Sequence, residues 1–158
     1  MKKSIIIILF FALAFVAPSC KKDLPDVGGT AAQKMANEWW CQIFVGTTDV
    51  AGGYHKIMTY NTAANGDSLW IDDLKNLYEF KVKMKADYSA LTFTTTQAQN
   101  EYYNIKVDIT GKILVNAAKS KAGNVTDSIY MQAKFTDDPT TTYIIRGHAR
   151  TKFAEDEY

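Results

Sequence analysis

Along most of the chain after Asn37, apolar and polar residues alternate one by one, the period of strands with one face in a core and one in water. Trp39, Cys41, Ile43 and Val45 fall on one face of a first strand, with Trp40, Gln42 and Phe44 on the other. Tyr54 to Tyr60 is a second run, and Asn65-Gly66 within the following Asn61–Asp67 stretch is a strong turn signal. Ser68 to Asp72 is short. The alternation is cleanest from Phe80 to Ala86, where Phe80, Val82, Met84 and Ala86 oppose Lys81, Lys83 and Lys85. After a brief run at Leu91 to Thr95, Tyr103, Ile105, Val107 and Ile109 share a face, and Thr110-Gly111 reads as a turn into Lys112 to Ala117. Lys119 to Asn124 is a polar loop. Ile129, Met131, Ala133 and Phe135 then alternate with Ser128, Tyr130, Gln132 and Lys134. Asp137-Asp138-Pro139 reads as a turn, since proline bars helix before it and cannot donate to a ladder. Tyr143 to Phe153 closes the series, with Glu155-Asp156-Glu157 expected to fray.

Ahead of the first strand, Thr30 is placed to cap a helix of about two turns over Ala31 to Ala36, good helix formers all. Eight or nine strands follow, joined by connections short enough for hairpins and too short for parallel crossovers. Strands paired in chain order leave two bare edges, and closing the sheet removes them. The fold expected is therefore all-β, an antiparallel up-and-down barrel of about eight strands with a short N-terminal helix; a two-sheet sandwich is the alternative. Eight strands leave room for a packed interior or one small ligand.

The start of the chain has a different character. Lys2 and Lys3 precede an unbroken apolar run from Ile5 to Val16, shorter than the about 20 residues a spanning helix needs. A basic start, a short apolar stretch and small residues before a cut describe a secretory signal over residues 1–19. Ala17-Pro18-Ser19-Cys20 is similar to a lipobox of the looser Bacteroidetes type, with Ala17 where Leu, Val or Ile usually stands. That resemblance implies lipidation of Cys20, a flexible Pro- and Gly-containing tether over residues 20–30, and a single domain over 31–158. The expected location is the cell envelope, on the outer membrane through the lipid, with the membrane face left open by Lys21-Lys22-Asp23.

Composition narrows the function. Removing Lys2 and Lys3 with the signal leaves 16 basic residues against 17 acids, so no basic excess recommends nucleic acid as a partner. With Cys20 acylated, Cys41 has no partner for a disulfide and is expected to be a small buried hydrophobe. No G-x-S-x-G elbow, zinc motif or phosphate loop is present, so no catalytic residue, metal ligand or cofactor is assigned. Asp67, Asp72 and Asp73 lack calcium-loop spacing and read as solvated hairpin ends. Arg146, His148 and Arg150 share a face, either as an anion site or as the polar outside of the last strand. Aromatic residues make up 13% of the chain. They either fill the barrel or line an apolar cavity, and in the second case the lining candidates are Trp39, Ile43, Phe80, Val82, Met84, Tyr103, Ile105, Met131, Phe135 and Tyr143.

The runs YHKIMTYNTAANGDSLWIDD (54–73), SKAGNVTDSIYMQAKF (120–135) and RGHARTKFAEDEY (146–158), with Glu38-Trp39-Trp40, resemble Bacteroidetes lipoproteins called lipid-binding putative hydrolases. The resemblance implies a lipocalin-like barrel and a lipid ligand, and supplies no catalytic residues. A looser similarity to lipocalins is a tryptophan on the first strand and an arginine on the last, implying a cation–π contact between Trp39 or Trp40 and Arg146 or Arg150. The function expected is a membrane-anchored barrel holding a small apolar ligand. A structural or accessory envelope lipoprotein, working through a bare aromatic patch around Trp40, Phe44 or Tyr130, is the alternative, and a lipid or ester hydrolase is third.

Overall fold

A computed structural model describes residues 28–158; the signal stretch, Cys20 and most of the tether lie outside the described residues. Nine strands follow in order: β1 Asn37–Val45, β2 Thr48–Asp49, β3 His55–Asn61, β4 Ser68–Asp72, β5 Lys81–Asp87, β6 Thr92–Gln99, β7 Lys106–Lys119, β8 Val125–Phe135 and β9 Asp138–Ala149. Each long strand pairs antiparallel with the next, and β9 returns to pair with β1 over Trp39↔Ala149 to Val45↔Tyr143. Eight strands thus close a barrel, with two-residue β2 added beside the end of β1.

Closure rests on one close approach. Gly147 lies opposite Cys41, and a Cβ there would run into the Trp40 carbonyl and the Cys41 Cα and Sγ. Cys41 is free and buried, and burial alone pushes its thiol far above the ordinary range.

The inward rows are one contiguous core. Trp39, Ile57, Leu69, Ile71, Val82, Phe93, Ile109, Ile129, Met131 and Ile145 are all 0–2% exposed. The expected N-terminal helix is instead a run of turns over residues 31–35, with Met35 N and Ala36 N both donating to Ala32 O. It still plugs the barrel, because Ala32 and Met35 are buried. Thr59, inside the wall, donates to Met35 O at 2.5 Å and accepts from Trp39 Nε1 at 2.8 Å, so its hydroxyl and the Trp39 indole N–H are both satisfied.

Four other expectations are revised. Thr110-Gly111 is not a turn: β7 runs straight through it, and Gly111 is not among the positive-φ glycines. Phe93 and Met131 flank Gly111 in register, and the Phe93 ring occupies the space a Cβ would need; this glycine serves packing, the usual meaning of a lone strand glycine. The turn before the last strand is Thr136-Asp137, and Pro139 is the second residue of β9, next to a register irregularity where a missing N–H is tolerated. Tyr103 leaves the face of Val107 and Ile109 for the 100–104 turn. Finally, the acidic tail does not fray. It forms a 3-10 turn, Ala154–Asp156, with Asp156 accepting from Ala122 N, Asn124 Nδ2 and Thr151 Oγ1.

Candidate functional site

Of the ten lining candidates, Trp39, Ile43, Phe80, Val82, Met84, Ile105, Met131 and Phe135 belong to the buried core cluster, and Tyr143 packs against it. Tyr103 stands apart, 39% exposed, with its phenol 3.3 Å from Asp137 Oδ2. Desolvation first, and then the Asp137 charge, push that phenol up to about 12. Inside the barrel these residues form one contiguous buried cluster.

The end of the barrel away from the N-terminal turns is closed by the 73–80 connection. Asp73 organises it: Oδ1 accepts from Lys75 N and Phe80 N at 2.9 Å, and Oδ2 from Tyr78 N at 2.8 Å and Leu77 N at 3.3 Å. A short acidic side chain saturated by main-chain donors is why Leu74, Lys75 and Glu79 can hold positive φ there. The loop lays the Tyr78 ring flat on Phe135, centroids 3.7 Å apart, with Tyr143 edge-on at 5.0 Å. Asp72 is equally engaged, accepting from Tyr102 Oη at 2.5 Å and Tyr60 Oη at 3.2 Å, with Lys81 Nζ at 3.8 Å. Among the described residues, no group of three or more His, Cys, Asp or Glu side chains is placed to hold a metal ion.

The outside of β1 and β9 is covered by the chain's own end. Tyr158 stacks on Tyr54 at 4.3 Å and meets Trp40 edge-on at 5.4 Å, while its phenol lies 3.1 Å from His148 Nε2. Arg150 is spent on two carboxylates, Glu38 at 2.5 Å and Glu157 at 2.7 Å. Its hydrogen bond holds Glu38 below the ordinary carboxylate range. Arg146 lies over the Phe44 ring at 4.2 Å. The shared face expected for Arg146, His148 and Arg150 is therefore real, but His148 is buried under the tail and is not solvent-facing decoration. The expected tryptophan–arginine contact is replaced by Arg146 on Phe44. Ser128, directly across from His148, donates to Gly147 O at 3.1 Å, so its hydroxyl is turned to main chain and the pair forms no nucleophile–base hydrogen bond.

The largest concavity described lies on the opposite outer wall, with a volume of 760 Å³. Its floor is main chain of the row Ala86–Phe93–Gly111, and its sides are the two outward rows that flank it. One side is Lys85–Thr94–Thr110–Gln132, and the other Asp87–Thr92–Lys112–Tyr130. Thr94 Oγ1 donates to Ile109 O at 3.0 Å and sits 3.3 Å from Thr110 Oγ1, so these threonines have mainly methyl left to offer. Gln132 Nε2 donates to Tyr130 Oη at 3.3 Å and ties the two sides together on β8. The lining is predominantly apolar, with lysine stems contributing as lysines on apolar surface do. Of these residues the sequence singled out Tyr130, as part of an outer aromatic patch, and its outward threonines read as ordinary strand material. The available signal was Gly111, once recognised as an in-strand glycine.

A closed antiparallel barrel of eight strands, plugged at one end by an N-terminal segment and with a buried tryptophan on its first strand, is a lipocalin-like architecture. The family model described as "Lipid-binding putative hydrolase" matches residues 24–154, and the chain belongs to that family. No protein of curated function matches it.

Proposed function

We propose that the chain is a lipoprotein of the cell envelope that binds a small, lipid-like ligand and is held at the outer membrane by acylated Cys20. The observation that carries the reading is the 760 Å³ concavity with its predominantly apolar lining. That volume falls within the about 300–1,000 Å³ of ligand sites, and it occurs in a member of a lipid-binding family. The anchor reading rests on the basic start, the Ile5–Val16 run and Ser19-Cys20. Several acyl chains on one cysteine hold a domain firmly, since each buried methylene adds about 0.8 kcal/mol.

The accessory-protein alternative needs a bare aromatic patch around Trp40, Phe44 or Tyr130. Trp40 is covered by Tyr158 and Phe44 by Arg146, and Tyr130 belongs to the concavity, which leaves that reading without its surface. Hydrolysis lacks an assembled nucleophile and base among the described residues.

Two measurements test the proposal. The protein purified from its host is extracted with organic solvent and the extract analysed by mass spectrometry; a stoichiometric lipid-like molecule is expected, and an empty protein that also takes up no added lipid overturns the reading. Labelled palmitate is expected to enter the wild-type chain and not Cys20→Ser; equal labelling of both removes the anchor.

A further inference from the structure

The geometry points to the outer-wall trough across β5–β8, rather than the barrel interior, as the seat of a single-chain anionic amphiphile whose carboxylate is held by Lys85 and Lys112. This inference rests on the lipid-binding reading above and names its site and ligand class.

Shape comes first. Adjacent outward rows on a strand are two residues apart, about 6–7 Å, and four strands span three gaps of about 4.8 Å, on the order of 14 Å across. A trough that follows these rows is longer across the strands than along them, the outline of an extended acyl chain. Its direction is set by the register Lys85↔Thr94↔Thr110↔Gln132. Gly111 lies in the inward row beneath the trough, with Phe93 packed inside the barrel against it, so the row presents main chain to the outside.

Charge comes second. Lys85 and Lys112 stand on opposite sides of the trough, and among the described residues neither has a carboxylate within ion-pair distance; the ion pairs present involve Lys81 and Arg150. The single acid on the rim, Asp87, spends Oδ1 on the turn that follows, accepting from Ser89 N at 2.9 Å, Ser89 Oγ at 2.6 Å and Ala90 N at 2.9 Å. Two free ammonium groups beside an apolar channel select an anionic head over a neutral or cationic one. The hydroxyls of Thr94 and Thr110 are engaged with each other and with main chain, which leaves the two ammonium groups as the strongest polar partners in the channel.

The interior offers the opposite conditions. Its side chains are in mutual contact, and entry would require lifting Tyr78 off Phe135. Two ligand seats therefore make different demands: the trough needs the lysines, and the interior needs the Tyr78 closure to open.

The test is calorimetric titration of the purified full-length protein with dodecanoate, dodecanol and dodecyltrimethylammonium, each below its micelle concentration. Two variants accompany the wild type: Lys85→Glu/Lys112→Glu, which touches no core residue, and Tyr78→Ala, which opens the far end. Dodecanoate is expected to bind the wild type at least tenfold more tightly than either other probe. The double variant should lose at least tenfold in dodecanoate affinity at an unchanged melting temperature, and Tyr78→Ala should stay within twofold of wild type. Equal affinity for the three probes, indifference to the lysine changes, or control by Tyr78 overturns the trough assignment while leaving lipid binding in place. Uptake of host lipids without any dodecanoate binding also overturns it. A wild type that takes up neither removes the lipid-binding reading itself.

Discussion

Two outer walls of the same barrel, both written as alternating strands, have opposite fates. On β1 and β9 the outward positions are Trp40, Gln42, Phe44, Arg146 and His148; the chain folds its own C-terminus over Trp40 and His148, and Arg146 lies on Phe44. Around the concavity on β5 to β8 the outward positions are Lys85, Asp87, Thr92, Thr94, Thr110, Lys112, Tyr130 and Gln132, and they remain open. Large aromatic rings facing water are costly, so the first wall recruits Tyr158 and a network around Asp156, Glu157 and Arg150. The second wall is soluble as it stands, and its concavity stays open. A strand pattern thus tells which residues face out, and the chemistry of those residues decides whether the face becomes a seam or a surface.

The comparison can be broken most severely at the seam. Gly147→Ala places a methyl against the Trp40 carbonyl and the Cys41 main chain, where backbone has no room to yield. A loss of more than about 4 kcal/mol is expected, enough to prevent folding, as clashes of this kind lie in the extreme tail of substitutions. Denaturant unfolding of the variant checks it. On the open wall, Gly111→Ala meets the Phe93 ring and Met131. A ring can move, so a smaller loss of about 1–3 kcal/mol is expected.

The strap itself is a weaker contributor. Tyr158→Ala removes the contacts to Tyr54 and Trp40, and a destabilisation on the order of 1 kcal/mol is expected from lost aromatic pairs, with Trp40 fluorescence shifting red. Acid should act on the same region. Hydrogen bonds, led by the Thr151 hydroxyl, hold Asp156 well below its ordinary 3.8, and Arg150 holds Glu38 below its ordinary 4.5. Both folded-state values are depressed, so the strap's contribution is fully present above about pH 4.5 and is lost as pH falls through the folded values. Proteolysis at the C-terminus should accelerate below pH 4 before the barrel's circular dichroism changes. At the small end, Lys85→Glu/Lys112→Glu should move stability by no more than about 0.5 kcal/mol, the usual size for exposed substitutions.

Much of the fold was legible because alternation is a local property. The faces of Phe80 to Ala86 and Ser128 to Phe135 could be read from alternation, and closure into a barrel followed from strands without crossovers. Misreadings fell where a distant contact overrides a local signal. Gly111 looks like a turn until Phe93 is known to lie against it, and Tyr103 continues an apolar alternation that the 100–104 turn interrupts. The tail looks solvated until Ala122 and Asn124 appear as partners for Asp156. The candidate site was less legible still. A trough floored by main chain leaves no apolar side chains in the sequence to mark it, and its threonines become distinctive only when four strands bring them into rows.

The central claim is that ligand lies on the open wall and not inside the barrel. Amide chemical-shift mapping during titration with dodecanoate tests this most directly. Perturbations confined to residues 85–87, 92–94, 110–112 and 130–132, with intermolecular contacts from the acyl chain to the Thr94 and Thr110 methyls, are the predicted result. Contacts from the chain to Trp39, Met84 or Met131 inside the core, with the outer rows unchanged, would contradict it.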